Sequence, residues 1–467
     1  MTDTLFHLRG ELSRGLATGN ADARLHAPDI SATWADLATR RILPRPLAAL
    51  EGCSALLLTT RQSSAAAALL ALDGVARRIV LCPPDFDLRQ LPLVASMAEI
   101  DLLVTDSDIQ APGGFDVQQI SLNRPGAPVV APPARAEPTE WVMFTSGTTG
   151  TPKLVVHTLA GLTGAIRAAQ PPPPPVVWGT FYDIRRYGGL QILLRALLGG
   201  ASLAVTDSEE SVGAFLTRLG KVGVTHLTGT PSHWRRALMS PQVSEISPAY
   251  VRLSGEIADQ AVLDRLAGAF PDAKIGHAFA STEAGVGFEV TDGLEGFPKA
   301  FLDRTGGPVD LRLVDGVLQI RSDRTAKRYL GETPEPLVNA EGFVDTDDQV
   351  DVRGDRCFFT GRRNGLINIG GLKIHPEEVE AVINRHPDVD ISRVFARKSP
   401  ITGALVAAEV VLISTFKPQS PSRLQEIRIE ILSLCRAALG PAGTPATVNI
   451  IDALPLTAGG KLERRRA

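Results

Sequence analysis

The chain has 467 residues, four cysteines and a formal net charge of −3 at pH 7. This length predicts more than one hydrophobic core, since single cores stop growing at about 250–300 residues. The nearly balanced charge lacks the basic footprint of a protein that binds nucleic acid or a membrane surface. The cysteines form no C-x-x-C pair, so the sequence predicts neither a zinc site nor a disulfide framework, and we expect a cytoplasmic location. We expect no signal peptide and no membrane span.

In chain order, the first regular elements alternate between strand and helix. The apolar strand candidates are residues 55–58, 79–81, 102–105 and 202–205. Helix candidates lie at 63–72 and 190–198. This alternation predicts an α/β fold with substantially parallel sheets. The proline-rich segments at 125–138 and 171–175 are predicted loops, because proline lacks the amide that a helix or a ladder requires.

A hydroxyl- and glycine-rich segment follows a short apolar run in VMFTSGTTGTPK, residues 142–153. Its glycines permit amides to point at an anion, and its hydroxyls and lysine suit phosphate oxygens. A nucleoside-triphosphatase P-loop requires Ser or Thr after the lysine, whereas Pro152 precedes Lys153 and Leu154 follows it. The segment instead resembles the phosphate loop of the adenylate-forming superfamily: acyl- and aryl-CoA ligases, peptide-synthetase adenylation domains and luciferases. The resemblance assigns to ATP the residues Thr145, Ser146, Gly147, Thr148, Thr149, Gly150 and Lys153.

Two further segments resemble nucleotide-binding motifs of the same superfamily. In the first, at residues 276–283, the resemblance implies that Phe279 lies against adenine and that Thr282 meets the α-phosphate. It also implies that Glu283 holds Mg²⁺, for which a carboxylate is a suitable hard ligand. The segment that resembles the adenine-pocket turn consists of Ser254, Gly255 and Glu256. Taken alone, each segment also fits an ordinary turn or a helix cap.

A β-rich region begins at about residue 311, where Asp315-Gly316 between two alternating runs is a hairpin signal. Further on, Asp348 resembles the superfamily aspartate that accepts both ribose hydroxyls, and Arg362 is implied to reach the nucleotide. Asp347 replaces a glycine of the family pattern, which leaves the geometry of this turn open. A surface acidic turn is the alternative interpretation.

We predict an α/β protein of two domains. Residues 1–363 form a large N-terminal domain of α/β subdomains with a β-rich subdomain, and residues 364–467 form a small mobile α+β C-terminal domain. The resemblance implies that the small domain swings about Asn364, and that the backbone at Gly371 leaves room for the acceptor's thin arm.

The C-terminal domain also carries His375 and the candidate catalytic lysine. His375 precedes a proline and two glutamates, and we interpret it as a helix entrance rather than a metal ligand or a base. Residues 454–464 resemble the last motif of the superfamily, in which Lys461 is the catalytic lysine. Its cation would stabilise the negative charge that gathers between the carboxylate and the α-phosphate.

The acid-binding residues are expected in the segment after the phosphate loop and on one further strand. The residues assigned to the acid are Tyr182, Arg186, Tyr187, Gly188 and His226. Asp183 is a candidate partner for an α-amino group, as in peptide synthetases, whereas its basic and aromatic neighbours suit a carboxylate or a polar aryl acid. The identity of the acid therefore stays open.

The resemblance implies an AMP-forming ligase that uses ATP, Mg²⁺ and coenzyme A to convert a small aryl or acyl carboxylic acid into its thioester. One alternative is a stand-alone adenylating enzyme that passes the acyl group to an amine, a carrier-protein thiol or another small nucleophile. A second alternative, a non-catalytic nucleotide-binding relative, is disfavoured because Glu283 and Lys461 are both present. No carrier-protein serine motif lies downstream, so a stand-alone enzyme is expected, and a carrier protein is at most a separate partner.

Overall fold

The computed structural model describes most of the chain. The described residues are 7–12, 21–108, 115–123, 137–145, 152–167, 175–304, 306–331, 336–369, 372–399, 403–413, 420–457 and 459–463. Across these ranges, every helix is too short or too polar to cross a lipid bilayer.

Strands and helices alternate along the first 290 residues. Up to residue 167 the elements are β1 (Arg24–His26), β2 (Ser31–Thr33), α1 (Trp34–Thr39), β3 (Ser54–Leu58), α2 (Gln62–Leu72), β4 (Arg78–Leu81), α3 (Leu91–Ala98), β5 (Leu102–Thr105), β6 (Asp116–Gln119), β7 (Glu140–Thr145), β8 (Lys153–Thr158) and α4 (Leu159–Arg167). From residue 177 they are β9 (Val177–Thr180), α5 (Tyr187–Leu198), β10 (Ser202–Val205), α6 (Val212–Lys221), β11 (His226–Gly229), α7 (Pro231–Met239), β12 (Tyr250–Ser254), α8 (Gln260–Ala269), β13 (Lys274–Ser281) and β14 (Gly285–Val290). The strands and helices predicted in this region are confirmed.

Strands predominate in the remainder of the chain. They are β15 (Phe297–Pro298), β16 (Val309–Val314), β17 (Val317–Ser322), β18 (Arg328–Leu330), β19 (Val344–Arg353), β20 (Arg356–Arg362), β21 (Ile367–Ile369), β22 (Leu372–Ile374), β23 (Val389–Ser399), β24 (Gly403–Leu412) and β25 (Thr447–Ile450). Two helices, α9 (Pro376–Ile383) and α10 (Pro421–Leu439), lie among the last five strands. Short 3₁₀ helices are Leu47–Leu50, Leu88–Gln90, Pro241–Glu245, Lys299–Phe301 and Arg363–Gly365.

Two mainly parallel sheets form the larger part of the molecule, with the strand orders β18-β8-β7-β4-β3-β5-β6 and β14-β13-β12-β11-β9-β10-β1-β2. Every residue of α2 is buried, and one core cluster joins this alanine-rich helix to Leu57 of one sheet and Leu203 of the other. A helix without a polar face suits such burial on all sides. Because β11 and β12 run parallel, the turns after Gly229 and Ser254 meet at the same sheet edge. Ligands of open α/β sheets bind at this carboxyl edge.

The predicted hairpin is confirmed in a five-stranded antiparallel sheet with the order β15-β20-β19-β17-β16. Val314 pairs with Val317 across the turn. Asp315 and Gly316 have φ angles of 50° and 76°, and a type I′ turn requires positive φ at both central positions. The Asp-Gly pair therefore sets the register of this hairpin.

The last hundred residues build a smaller unit around its own core. The strands β23, β24 and β25 form one sheet, and β21 and β22 form a separate ribbon. Val379 and Ile383 of α9 pack with Ile427 and Ile431 of α10 against this sheet. His375 lies at the N-cap position of α9 with Pro376 after it, as the interpretation of a helix entrance required. The exact domain boundary stays a prediction.

Candidate active site

The predicted phosphate loop connects two antiparallel strands. Thr145, the last residue of β7, pairs with Lys153, the first residue of β8. Residues 146–151 lie outside the described residues, so the assignments of Ser146, Gly147, Thr148, Thr149 and Gly150 stay predictions. Lys153 is exposed, with its ammonium 5.8 Å from the ring centroid of Tyr329. A strand follows this loop, whereas a helix follows the P-loop of nucleoside triphosphatases, which agrees with the rejection of that motif.

Thr282 and Glu283 occupy the tight turn between β13 and β14. The Thr282 carbonyl accepts a hydrogen bond from His157 Nε2 at 2.7 Å, and the Glu283 carbonyl accepts one from the Ala326 amide at 2.9 Å. The Ser281 hydroxyl accepts the amide of the residue after Glu283, at 2.9 Å. The Glu283 carboxylate itself forms no hydrogen bond or ion pair with any part of the chain that the structure describes. The turn is therefore fixed through its backbone, and the carboxylate is left available to a ligand.

His157 is a fully buried support for this turn that the sequence interpretation missed. Burial is the main cause that lowers its pKa to about 4, although the hydrogen bond to Thr282 opposes the shift. Nε2 faces a carbonyl and therefore donates, and because its pKa is lowered the ring is neutral at neutral pH. Its signal in the sequence is weak, because a histidine inside an apolar strand is usually a core residue.

We expect His157 to make the protein less stable in mild acid. The unfolded chain binds a proton at this ring below about pH 6.5, but the folded chain does so only near its lowered pKa, so stability present above pH 6.5 is lost as the pH falls. This pKa shift corresponds to a loss of roughly 3 kcal/mol in the free energy of unfolding at pH 4. The free energy of unfolding can be measured with urea between pH 7 and 4 for the wild type and for His157→Gln. It should fall more steeply with decreasing pH in the wild type, by the slope that corresponds to about one bound proton. Equal slopes would contradict the assignment.

Phe279 lies in an aromatic cluster between the eight-stranded and five-stranded sheets. Its ring stacks on Phe359 with centroids 5.2 Å apart and on Phe288 with centroids 5.8 Å apart. Both neighbours are nearly parallel to it, with interplanar angles of 11° and 18°. The cluster fixes the orientation of the Phe279 ring, which remains half-buried. Its contact with adenine stays a prediction.

Asp347 and Asp348 lie inside β19, where the pairing with β17 shifts register, and not in the acidic surface turn that was the alternative interpretation. Asp347 has a φ of 62°, a left-handed conformation that Asp adopts more readily than most residues. Its carboxylate accepts hydrogen bonds from Arg363 Nε and from Asn364 Nδ2, both at 3.0 Å. Asp348 faces Arg362 Nε at 3.3 Å. Asp347 therefore connects this part of β19 to the predicted hinge. Asp348 and Arg362 stay adjacent.

The loop that carries Lys461 is anchored to the N-terminal part of the chain. The Thr230 hydroxyl donates to the Gly460 carbonyl at 2.7 Å. Glu256 Oε1 accepts the Leu462 amide at 2.7 Å, and the same carboxylate accepts the Ser232 amide and hydroxyl. In this structure Glu256, which was assigned to the nucleotide, connects the Ser254 turn to the lysine loop.

These anchors bring Lys461 to the turn assigned to adenine and ribose. A Cβ atom added to Gly255 would lie 3.2 Å from Lys461 Cε. The side chain remains accessible to solvent, yet surrounding protein lowers its pKa, an effect opposed first by Glu256 and reinforced by Arg362. Asp348 also lies close enough to stabilise the ammonium. The structure therefore brings together the predicted catalytic lysine, the ribose aspartate and Arg362.

A buried polar network holds the C-terminal unit in this position. Arg235 pairs with Asp259 at 2.6 Å and also donates to the backbone carbonyl of Asp390. Asn384 donates to Asp259 at 3.0 Å, and Arg265 forms an ion pair with the Asp390 carboxylate. Arg235 and Asp390 are 2% and 1% exposed, so water does not satisfy their charges. We call these five residues the docking network.

Three of the predicted acid-binding residues lie together beside the Ser254 turn. The Tyr182 hydroxyl lies 2.6 Å from the Gly229 carbonyl oxygen and 2.9 Å from that of Ser254. Gly188 packs on the Tyr182 ring, since a Cβ there would lie 3.6 Å from it. Tyr187 is buried with its ring centroid 5.6 Å from that of His157. These residues link the acid segment to both nucleotide turns.

The other two predicted acid residues lie elsewhere. Arg186 forms an ion pair with Asp85 and contacts the loop at Gly459, beside the catalytic lysine. His226 is the first residue of β11, at the end of the strand remote from the turn after Gly229. Its ring centroid lies 4.6 Å from that of Trp178. Within the same segment, Asp183 pairs with the buried Arg185 at 2.6 Å, so an α-amino group would have to compete with that ion pair.

Comparison with protein families matches both parts of the chain. Residues 51–326 match the model of the AMP-binding enzyme family, and residues 378–461 match the model of the AMP-binding enzyme C-terminal domain. The two matches include the Glu283 turn and Lys461 respectively.

Individual relatives agree with this assignment. The 2-succinylbenzoate–CoA ligase of Salmonella typhimurium is 27% identical over 345 residues, which cover 72% of this chain and 71% of that protein. The aligned regions of two other curated relatives cover 60% and 52% of their lengths. A benzoate CoA ligase from Burkholderia xenovorans LB400 has the same fold, with a TM-score of 0.80 at 19% identity over 98% of this chain and 99% of that one.

The amide bond synthetase McbA from Marinactinospora thermotolerans also has this fold, with a TM-score of 0.74 at 18% identity over 98% of both chains. The predicted fold class, a large α/β N-terminal part with a smaller C-terminal part, is confirmed by these structures. Because the family model spans more than half of the chain, we conclude that the protein is a member of the AMP-binding enzyme family, the adenylate-forming superfamily that its motifs resemble.

Proposed function

We propose that the chain joins a small aryl or acyl carboxylic acid to AMP, releases pyrophosphate, and transfers the acyl group to coenzyme A. The observation that carries the proposal is the position of Lys461, which the docked loop holds beside Gly255, Asp348 and Arg362. A cation fixed at this point stabilises the negative charge that develops as the carboxylate attacks the α-phosphate. Because the loop is already anchored, little reorganisation is needed during the reaction.

Glu283 is the residue that would hold Mg²⁺. Among the described residues there is no cluster of three or more His, Cys, Asp or Glu side chains that could enclose a metal. Mg²⁺ usually binds through one or two carboxylates together with substrate phosphates and water, and the unpaired Glu283 carboxylate fits that pattern. When bound, the ion would neutralise phosphate charge. The backbone bonds from His157 and Ala326 keep the carboxylate in place.

Transfer to coenzyme A is the second half of the proposed reaction. It requires the C-terminal unit to rotate about Asn364 and to present the turn at Gly371, which lies outside the described residues. The contact of Asp347 with Arg363 and Asn364 would hold the hinge in its present position. The fold is shared with an amide bond synthetase, so an amine is the second candidate acceptor, followed by a carrier-protein thiol.

Carboxylate-dependent exchange of labelled pyrophosphate into ATP tests the first half. We expect exchange with at least one member of a panel of aryl, short acyl and amino acids, and its loss when Mg²⁺ is chelated. Absence of exchange with every acid would favour a non-catalytic relative. An acceptor screen with coenzyme A, amines and carrier protein then tests the second half, because only the true acceptor should consume the adenylate rapidly.

The docking network should control adenylation through the position of Lys461. We expect Asp390→Ala to lower the exchange rate about tenfold, because Arg265 loses its partner in the docked state and a loss of about 1.4 kcal/mol changes an equilibrium tenfold. Asp388→Ala is the matched control, since Asp388 pairs with Arg423 within the C-terminal unit at 2.9 Å. Equal effects of both substitutions would show that the network has no special role in docking.

A further inference from the structure

Two arginines near the acid segment form no ion pair with the residues that the structure describes. Arg252 of β12 is only 8% exposed, and Arg195 of α5 is half-buried. The Nε atom of each is buried and has no hydrogen-bond partner. Neither guanidinium forms an ion pair or a hydrogen bond with any residue that the structure describes. Arginines in protein interiors are normally paired, so this arrangement needs a ligand or carries a cost.

Both arginines lie behind the adenylate-forming site. Side chains alternate along a strand, so Ser254, Arg252 and Tyr250 of β12 share one face. Each two-residue step covers about 7 Å, so Arg252 lies one step behind the Ser254 turn and Tyr250 lies two. The charge of Arg252 also acts on Tyr182 and Tyr187, where it opposes the rise in pKa that burial causes. Arg252 is therefore close enough to act electrostatically on both predicted acid-binding tyrosines.

Arg195 is the more exposed of the two arginines and lies beside a cluster of three rings. Its guanidinium is 5.8 Å from the ring centroid of Trp178, and the rings of Trp178, His226 and Tyr250 have centroids 4.6, 5.5 and 6.1 Å apart with tilted or edge-on orientations. Burial, followed by the charge of Arg195, lowers the pKa of His226 to about 4, so this ring is neutral. Burial and the charge of Arg252 lower the pKa of Arg195 to about 10, which still leaves it cationic at neutral pH.

The charges of this region do not balance. Glu289 is the carboxylate whose charge acts on Arg195. It is exposed and accepts a hydrogen bond from the Tyr250 hydroxyl. Glu256 and Arg324 also act on the neighbouring Tyr182 and Tyr187, so two carboxylates stand against three guanidinium groups. Water molecules satisfy hydrogen bonds but do not neutralise charge. An anionic group between Arg252 and Arg195 would satisfy both requirements.

We propose that the acid substrate carries a second carboxylate, bound by Arg252 and Arg195 at the end remote from the reacting carboxylate. This inference rests on the proposed function and names its substrate class: a dicarboxylic acid whose two carboxylates are separated by a short chain or one ring. Arg252 and Arg195 are then specificity-determining residues, distinct from the Arg186 that the sequence suggested. The Trp178 ring packs beside the guanidinium of Arg195, and the His226 ring packs against Trp178.

The wild-type enzyme can test this inference without any substitution. We would compare kcat/KM for pyrophosphate exchange within matched pairs: benzoate against benzene-1,3- and benzene-1,4-dicarboxylate, and hexanoate against hexanedioate. Each hydrogen bond to a charged group corresponds to about ten- to hundredfold in affinity, so we expect at least a tenfold preference for one dicarboxylate over its monocarboxylate partner. A preference for the monoacids overturns the inference while supporting the proposed function. Failure of every acid counts against the proposed function itself.

Variants assign the preference to the two arginines. Arg252→Met and Arg195→Met should each reduce the dicarboxylate preference about tenfold with the KM for ATP unchanged, whereas Arg252→Lys should retain most of it because the charge remains. Arg41→Met is the control, since Arg41 is exposed and bonds only to the nearby Pro44 carbonyl. A preference that survives in both methionine variants would overturn the assignment.

Discussion

Lys461→Ala is expected to slow formation of the acyl-adenylate by about two to three orders of magnitude, the scale for loss of a preorganised charge in a transition state. The ammonium has cationic neighbours as well as acidic ones, and the loop around it is fixed by Thr230 and Glu256. Its position is therefore set before substrates bind. Removing the side chain leaves the loop's backbone bonds in place, so the effect should appear in the rate and only weakly in folding.

Pyrophosphate release with the best acid of the panel measures this effect. Lys398→Ala serves as the control, because Lys398 is an exposed lysine on β23 of the same unit. Thermal unfolding of both variants should match the wild type. Pyrophosphate release near the wild-type rate in Lys461→Ala would remove this lysine from the mechanism, whatever the role of the loop.

The motifs were predictable because each depends on residues that are close in the sequence. The Asp315-Gly316 turn, the entrance of α9 at His375 and the strand before the predicted phosphate loop follow from local backbone chemistry. Lys461 and Glu283 were assigned from short motifs for the same reason, and their catalytic roles stay predictions. Their roles also depend on contacts between distant segments, and those contacts required the structure.

Contacts between distant segments left little signal in the sequence. Arg235 and Asp390 are ordinary charged residues in their own helix and strand, and only the docked arrangement shows that they are buried together. The sequence left the geometry around Asp347 open, and the structure shows its side chain bonded to Asn364 of the predicted hinge. Arg186 was assigned to the acid by its place in the chain, but α5 begins directly after it and directs it to Asp85.

The second large effect is expected at Gly460, whose backbone carries Lys461 into the site. Gly460 has a φ of 68°, and a Cβ there would lie 1.8 Å from two atoms of the His233 ring. That ring cannot easily move, because it caps α7 through Thr230 and stacks on Phe181 with centroids 5.4 Å apart. Gly460→Ala must therefore displace the loop and Lys461 with it. A displacement of about 1 Å costs roughly a hundredfold in rate.

Gly459→Ala provides the matched control, one residue away in the same loop. A Cβ at Gly459 would meet the side chain of Arg186 at 3.3 Å, and a flexible side chain can yield, so we expect the exchange rate to stay within about threefold of wild type. Equal loss in both variants would mean that the loop tolerates no added atom, rather than that His233 excludes one.

A double-mutant cycle with His233→Ala separates steric exclusion from backbone strain. If the ring excludes the added methyl group, Gly460→Ala should cost much less in the His233→Ala background than in the wild type. The remaining cost should be the left-handed conformation of alanine, about 1–2 kcal/mol, or roughly five- to thirtyfold. His233→Ala alone removes the cap on Thr230, so its own effect must be measured in the same assay. Simple additivity of the two effects would refute the clash and leave backbone conformation as the reason for glycine at this position.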